Sequence, residues 1–215
     1  RRVIMRKIIK NILTTCIGIV CCIMYTTPTP DTTVKMVTTY KVIQESSEKM
    51  KIKDKKELHF NATLDKLKFV NSQEDVKIKE IIYKSKKISE EMDVNFYLMI
   101  AQFMIESNFS RSNLAVNHNN LFGLTASETY RKNPNNKYYK TVIHDYNKEG
   151  KKVEMVQYFR KYNTVDDCLM DYAKIIKQHY DGGYNISKLK KYCADPNYIK
   201  MVTKVMIKYQ NTFKE

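Results

Sequence analysis

Ile78, Ile81, Ile82, Ile88 and Met92 fall at helical spacing and predict an amphipathic helix that opens near Ser72, with Ser72 as its cap and Asp75 closing an S-x-x-D box. From Phe96 to Ile105 every residue but Gln102 is apolar or aromatic. A helix apolar all round belongs in the middle of a fold. Residues 108–136 are Asn-rich and predict loops. In "YYKTVIHDYNKEGKKVEMVQYF", two β-prone arms flank a polar turn that ends at Gly150, the pattern of a hairpin. Thr164 and Asp167 form a T-x-x-D start. Leu169, Tyr172, Ala173, Ile176 and Tyr180 then line one helix face, and "DGG" (181–183) stops it. Asp195 is the expected cap of a last helix, with Pro196 at its first position and Val202, Val205, Met206 and Tyr209 inward. The body is therefore mainly α, with one small β insertion between the central helix and the last two.

The N-terminus follows another pattern. A basic start precedes an apolar run from Ile12 to Tyr25. That run is short against the ~20 residues of a spanning helix. Residues 1–25 are expected to be a signal peptide or a short membrane anchor, with residues 8–25 as the membrane contact and the domain outside the cell. "TTPTPDTTVKMVTTY" (26–40) reads as an extended linker, and 41–71 as a Lys-rich, weakly patterned stretch. The catalytic unit is expected over 72–215.

A net charge of +15 favours anionic partners, among them an acidic cell-wall polymer. The lysines are spread along the whole chain, which equally suits a solvated surface. No nucleic-acid-binding motif is present and the aromatics fall at core spacing, so no nucleic acid partner is expected. Of five cysteines, only Cys168 and Cys193 lie in the body, and their pairing is open. No His/Cys spacing suits a metal, so neither metal nor other cofactor is expected.

Glu106 ends the apolar helix. Burial beside apolar neighbours and the negative end of the helix dipole both disfavour its anion. An acid that stays protonated near neutrality can protonate a leaving oxygen, as glycosidic cleavage requires. The plainer alternative is a solvent-facing helix terminus.

The blocks "AQFMIES", "NNLFGL", "YFRKYNTVDDCLMDYAKII" and "DPNYIKMVTKVMIKY" occur in that order. They resemble glycoside hydrolase family 73, the endo-β-N-acetylglucosaminidases that cut bacterial peptidoglycan and include flagellar muralytic domains. The resemblance spans about 82–214. It implies a lysozyme-like α+β fold with a small β-hairpin lobe over a cleft. It also implies a hydrolase that cuts the glycan strand after N-acetylglucosamine.

By this resemblance Glu106 is the general acid. Asn120, Leu121, Phe122 and Gly123 are the cleft-lining block. Asp145 and Tyr146 stand where the family has Glu-Tyr on its β lobe, which makes Asp145 the second carboxylate. Tyr198 is a cleft tyrosine at the third position of its helix. Phe122 and Tyr198 are expected to pack on sugar faces.

The departures are specific. Asn108 and Ser110 replace glycines, which implies a stiffer turn after Glu106. Thr125 replaces the usual Lys, and Asp145 is one methylene shorter than Glu. His118 and His144 read as polar loop residues. A retaining, inverting or substrate-assisted mechanism stays open. So do a muramidase or lytic transglycosylase, and a non-catalytic wall-binding component of a phage or secretion machine.

Overall fold

The computed structural model describes residues 30–69, 71–146, 152–193 and 195–214. The expected signal or anchor at 1–25 lies outside them. Among the described residues no helix is long and apolar enough to cross a membrane.

The chain divides into two compact units, 1–58 and 59–215. A helix α1, Pro30–Lys66, runs from the first into the second. The expected extended linker at 26–40 is thus helical from Pro30 onward, and so is most of the weakly patterned stretch. Pro suits a first helical position, and neither Gly nor another Pro interrupts the next 36 residues. The segment lacks an apolar stripe, so periodicity gave no sign of it. Only its end joins the second unit's core: Phe60 packs edge-on to Phe96 at 5.7 Å and stacks on Phe213 at 4.8 Å. The second unit therefore starts at His59, thirteen residues before the expected Ser72.

Within this unit α2 spans Ser72–Met92 and α3 spans Phe96–Glu106. The cap of α2 is Asn71, whose side chain accepts from Glu74 N at 3.0 Å. Asp75 is not part of a box with Ser72; its Oδ1 accepts from Phe69 N at 2.8 Å. As the all-round apolar pattern implied, α3 is central: Leu98, Met99, Ile100, Ala101 and Phe103 are fully buried. Each large side chain of that set contributes roughly 1.5–3 kcal/mol by leaving water. Two short helices follow, α4 (Asn113–His118) and α5 (Glu128–Lys132).

The hairpin pairs β1 (Lys137–Tyr146) antiparallel with β2 (Lys152–Lys161), Val142 opposite Val156. It is tied to the body at its base. Tyr139 stacks on His118 with centroids 4.1 Å apart. Arg160 and Tyr162 both donate to Asp171 Oδ2 at 2.6 Å.

Helix α6 (Val165–His179) begins with the expected box: Thr164 Oγ1 accepts from Asp167 N, and Asp167 Oδ2 from Thr164 N, each at 3.1 Å. The "DGG" stop is a 3-10 turn, Asp181–Gly183, and a second 3-10 segment runs over Ile186–Lys191. The last helix, α7, spans Tyr198–Phe213. Asp195 and Pro196 precede it as a turn, with Asp195 Oδ1 accepting from Asn197 N at 2.8 Å. Tyr198 is thus the first residue of its helix and not the third. Helix α3 packs on α7 and α2, and α2 packs on α6. Cys168 and Cys193 are both free thiols.

Candidate active site

Glu106 is the last residue of α3, half-buried where the helix leaves the core. The chain turns sharply there. Ser107 Oγ donates to Phe103 O at 2.5 Å and accepts from Ser110 N at 2.8 Å. Asn108, Phe109 and Ser110 are three consecutive left-handed residues, at φ 48°, 57° and 66°. Such a run is costly for L-residues and is held only because the surrounding contacts define it. Two of the three stand where the family resemblance places glycines.

Across from the acid is the loop of "NNLFGL". Gly123 lies at φ 62°, and a Cβ there would sit 3.6 Å from Glu106 Oε2. Glycine therefore supplies both the backbone conformation and an uncovered approach to the carboxyl. The rest of the block builds this loop. Asn120 is 1% exposed and spends its side chain on backbone: Nδ2 donates to Leu124 O and Arg160 O, and Oδ1 accepts from Leu124 N, all at 2.9 Å. Leu121 N donates to Cys168 Sγ at 3.3 Å. Burial pushes the Cys168 thiol up to about 12, with the Leu121 N–H bond partly opposing the rise. Phe122 is buried and stacks on Tyr172 with centroids 3.8 Å apart, while its carbonyl accepts from the Tyr192 hydroxyl at 2.9 Å.

Among the described residues the carboxyl has one side-chain donor. Tyr198 Oη donates to Glu106 Oε1 at 2.6 Å. Tyr198 in turn accepts from Gln102 Nε2 at 2.7 Å, and Tyr172 donates to Gln102 Oε1. Gln102 and Tyr172 are fully buried and Tyr198 is 2% exposed. Burial raises the Glu106 pKa above the ordinary carboxylate value, and the Tyr198 bond partly opposes that rise. Burial, and then the Glu106 charge, push the Tyr198 phenol far above its usual range, so it keeps its proton as a donor.

The structure thus brings Glu106, Gly123 and Tyr198 together, with Asn120, Leu121 and Phe122 as the scaffold of the loop. Phe122 and Tyr198, at 1% and 2% exposure, do not offer open ring faces to a sugar. Asp145 and Tyr146 lie at the end of β1, in register with Val153 and Lys152. Their side chains, like that of His144, are outside the described residues. Three contributors escaped the sequence reading: Gln102, Tyr172 and Tyr192. Gln102 carried a signal, as the one polar residue of an apolar helix and four positions before Glu106, on the same face.

Among solved structures, the catalytic domain of the autolysin Auto from Listeria monocytogenes superposes with a TM-score of 0.52 at 22% identity, over 73% of this chain and 95% of that one. The glycoside hydrolase domain of FlgJ from Salmonella typhimurium, in a C-terminally truncated form, gives 0.45 at 18% identity, over 61% and 93%. The fold is thus lysozyme-like, mostly helical with one two-stranded sheet among the described residues. Residues 83–211 match the glucosaminidase model, described as mannosyl-glycoprotein endo-beta-N-acetylglucosaminidase. The chain belongs to the glucosaminidase family. An N-acetylmuramoyl-L-alanine amidase domain-containing protein of Staphylococcus aureus (strain NCTC 8325 / PS 47) is 30% identical over 154 residues, 63% of this chain. The match spans about a quarter of that relative, 24% of its length.

Proposed function

We propose that this enzyme hydrolyses the glycan strand of peptidoglycan at the N-acetylglucosaminyl β-1,4 bond, with Glu106 as general acid. One observation carries the reading. A carboxyl whose pKa burial raises stands beside the bare backbone of Gly123, its other oxygen held by Tyr198. Glu106 gives its proton to the bridging oxygen as the bond to the anomeric carbon breaks. Water supplies the hydroxyl to that carbon, and its remaining proton passes to a base. Asp145 on the hairpin is the residue proposed for that step. Family membership and the names of the bacterial relatives support peptidoglycan as substrate. A basic surface suits an anionic wall, and the basic-then-apolar N-terminus suits export to it.

The test is one preparation of purified peptidoglycan digested by wild type and by Glu106→Gln. Mass spectrometry should find reducing N-acetylglucosamine ends from the wild type and almost none from the variant. Reducing or anhydro-N-acetylmuramic acid ends would reassign the bond. Wild-type turnover by a folded Glu106→Gln protein would remove Glu106 from the chemistry.

A further inference from the structure

The chain Tyr172–Gln102–Tyr198–Glu106 has a direction. Tyr172 donates to Gln102 Oε1, Gln102 Nε2 donates to Tyr198 Oη at 2.7 Å, and Tyr198 donates to Glu106 Oε1 at 2.6 Å. Each phenol has a single proton to give. The amide of Gln102 therefore decides where the Tyr198 proton goes. With its nitrogen toward Tyr198, the hydroxyl must turn to Glu106. With the amide reversed, the Tyr198 proton would go to Gln102, and Glu106 would bury its own proton against Tyr198.

Tyr172 selects between the two. Its hydroxyl, fully buried, has Gln102 as its acceptor among the described residues. Reversal would aim an NH2 group at it and strand a buried O–H, which proteins strongly avoid. Tyr172 is itself pinned by its stack on Phe122, 3.8 Å away and 18° from parallel.

Building on the general-acid reading above, we infer that Gln102 and Tyr172 are positioning residues that keep the acid's proton on Oε2. Oε2 is the oxygen beside Gly123. Neither residue hydrogen-bonds to the carboxyl. Both act through Tyr198, and their effect is set by hydrogen-bond polarity as well as by packing.

The test uses the full chain and solubilised, purified peptidoglycan fragments, with thermal melts on every variant. Tyr172→Phe keeps the ring and its stack but removes the donor. Its kcat should fall about three- to tenfold with KM unchanged, the worth of one buried hydrogen bond expressed as a rate. A weakened Tyr198 donor also stabilises the Glu106 anion less. The alkaline limb of the kcat profile should therefore move to higher pH. Gln102→Met, similar in length and unbranched, should do the same. In a Tyr198→Phe background neither substitution should change residual turnover further. An alkaline limb unmoved by both substitutions overturns the inference, as does an equal fold-loss with and without Tyr198. If Glu106→Gln is inactive while these limbs stay put, only the relay fails. If Glu106→Gln is active, the general-acid reading fails first.

Discussion

Gly183→Ala should destabilise the catalytic unit more than its distance from Glu106 suggests. Gly183 sits at φ 76°, and an added Cβ would lie 2.3 Å from Leu98 Cδ2 and 3.2 Å from Ile176 Cγ2. Leu98 and Ile176 are buried at 0% and 1% exposure, so neither can swing away into solvent. The left-handed backbone costs an L-residue about 1–2 kcal/mol. Overpacking a tight core adds about 1–3 kcal/mol. Together these give about 2–5 kcal/mol, on the order of 5–20 °C in Tm for a domain of this size. The position also bears on the site. Asn95 N donates to Gly182 O at 2.7 Å and Asn95 Nδ2 to Gly183 O at 3.3 Å, while Asn95 Oδ1 caps α3 through Tyr97 N and Leu98 N. The turn therefore sets the start of the helix that ends in Glu106. Thermal unfolding followed by far-UV circular dichroism reads the effect. Combining Gly183→Ala with Leu98→Ala should cost less than the sum of the two, because the truncated Leu98 removes the collision and leaves only the backbone strain. A Gly183→Ala melt within about 1 °C of wild type would refute the reasoning, since even the backbone strain alone predicts more.

Glu106→Gln should melt higher than wild type at neutral pH while lacking lytic activity. A carboxyl whose folded pKa is raised contributes stability below its unfolded value, and that contribution is lost as pH rises through the folded value. The variant's advantage should thus vanish in acid, and melts across pH would show it. Wild-type turnover should decline with rising pH as Glu106 ionises. Ser110→Gly should stabilise by about 1 kcal/mol, since it relieves a left-handed serine. It also deletes a buried hydroxyl that has no hydrogen-bond partner among the described residues; a lower Tm would count against the strain argument. Asp145→Asn should cut turnover strongly but less than Glu106→Gln, whereas Asp145→Glu should keep substantial activity. Full activity in Asp145→Asn with an unchanged melt would reduce Asp145 to a strand residue.

The elements legible in the sequence were those with an apolar rhythm. The face through Leu169, Tyr172, Ala173 and Ile176 is buried as its spacing implied. The two β arms pair antiparallel as expected. Helix α1 was not legible, because it buries almost nothing along most of its length and so needs no stripe. Local capping competed over single residues. Asn71 took the cap expected of Ser72, and the Asp195–Pro196 turn shifted the start of α7 to Tyr198. Glu106 announced itself by contrast, a carboxylate after an apolar run. The groups that orient it did not, since Tyr172 and Tyr198 reach Gln102 from 70 and 96 residues away. Nothing local distinguishes those tyrosines from ordinary core aromatics.

The hairpin is not an independent flap. Ala126 N donates to Tyr158 O at 2.7 Å and Arg160 N to Leu124 O at 2.8 Å, with Thr125 bridged to Phe159 between them. The strand that carries the lobe is thus welded to the loop that holds Gly123 against the acid. A push on β2 therefore reaches Leu124, one residue from Gly123. The hairpin is in effect a lever whose short arm rests beside Glu106, so a load on the lobe is felt at that carboxyl.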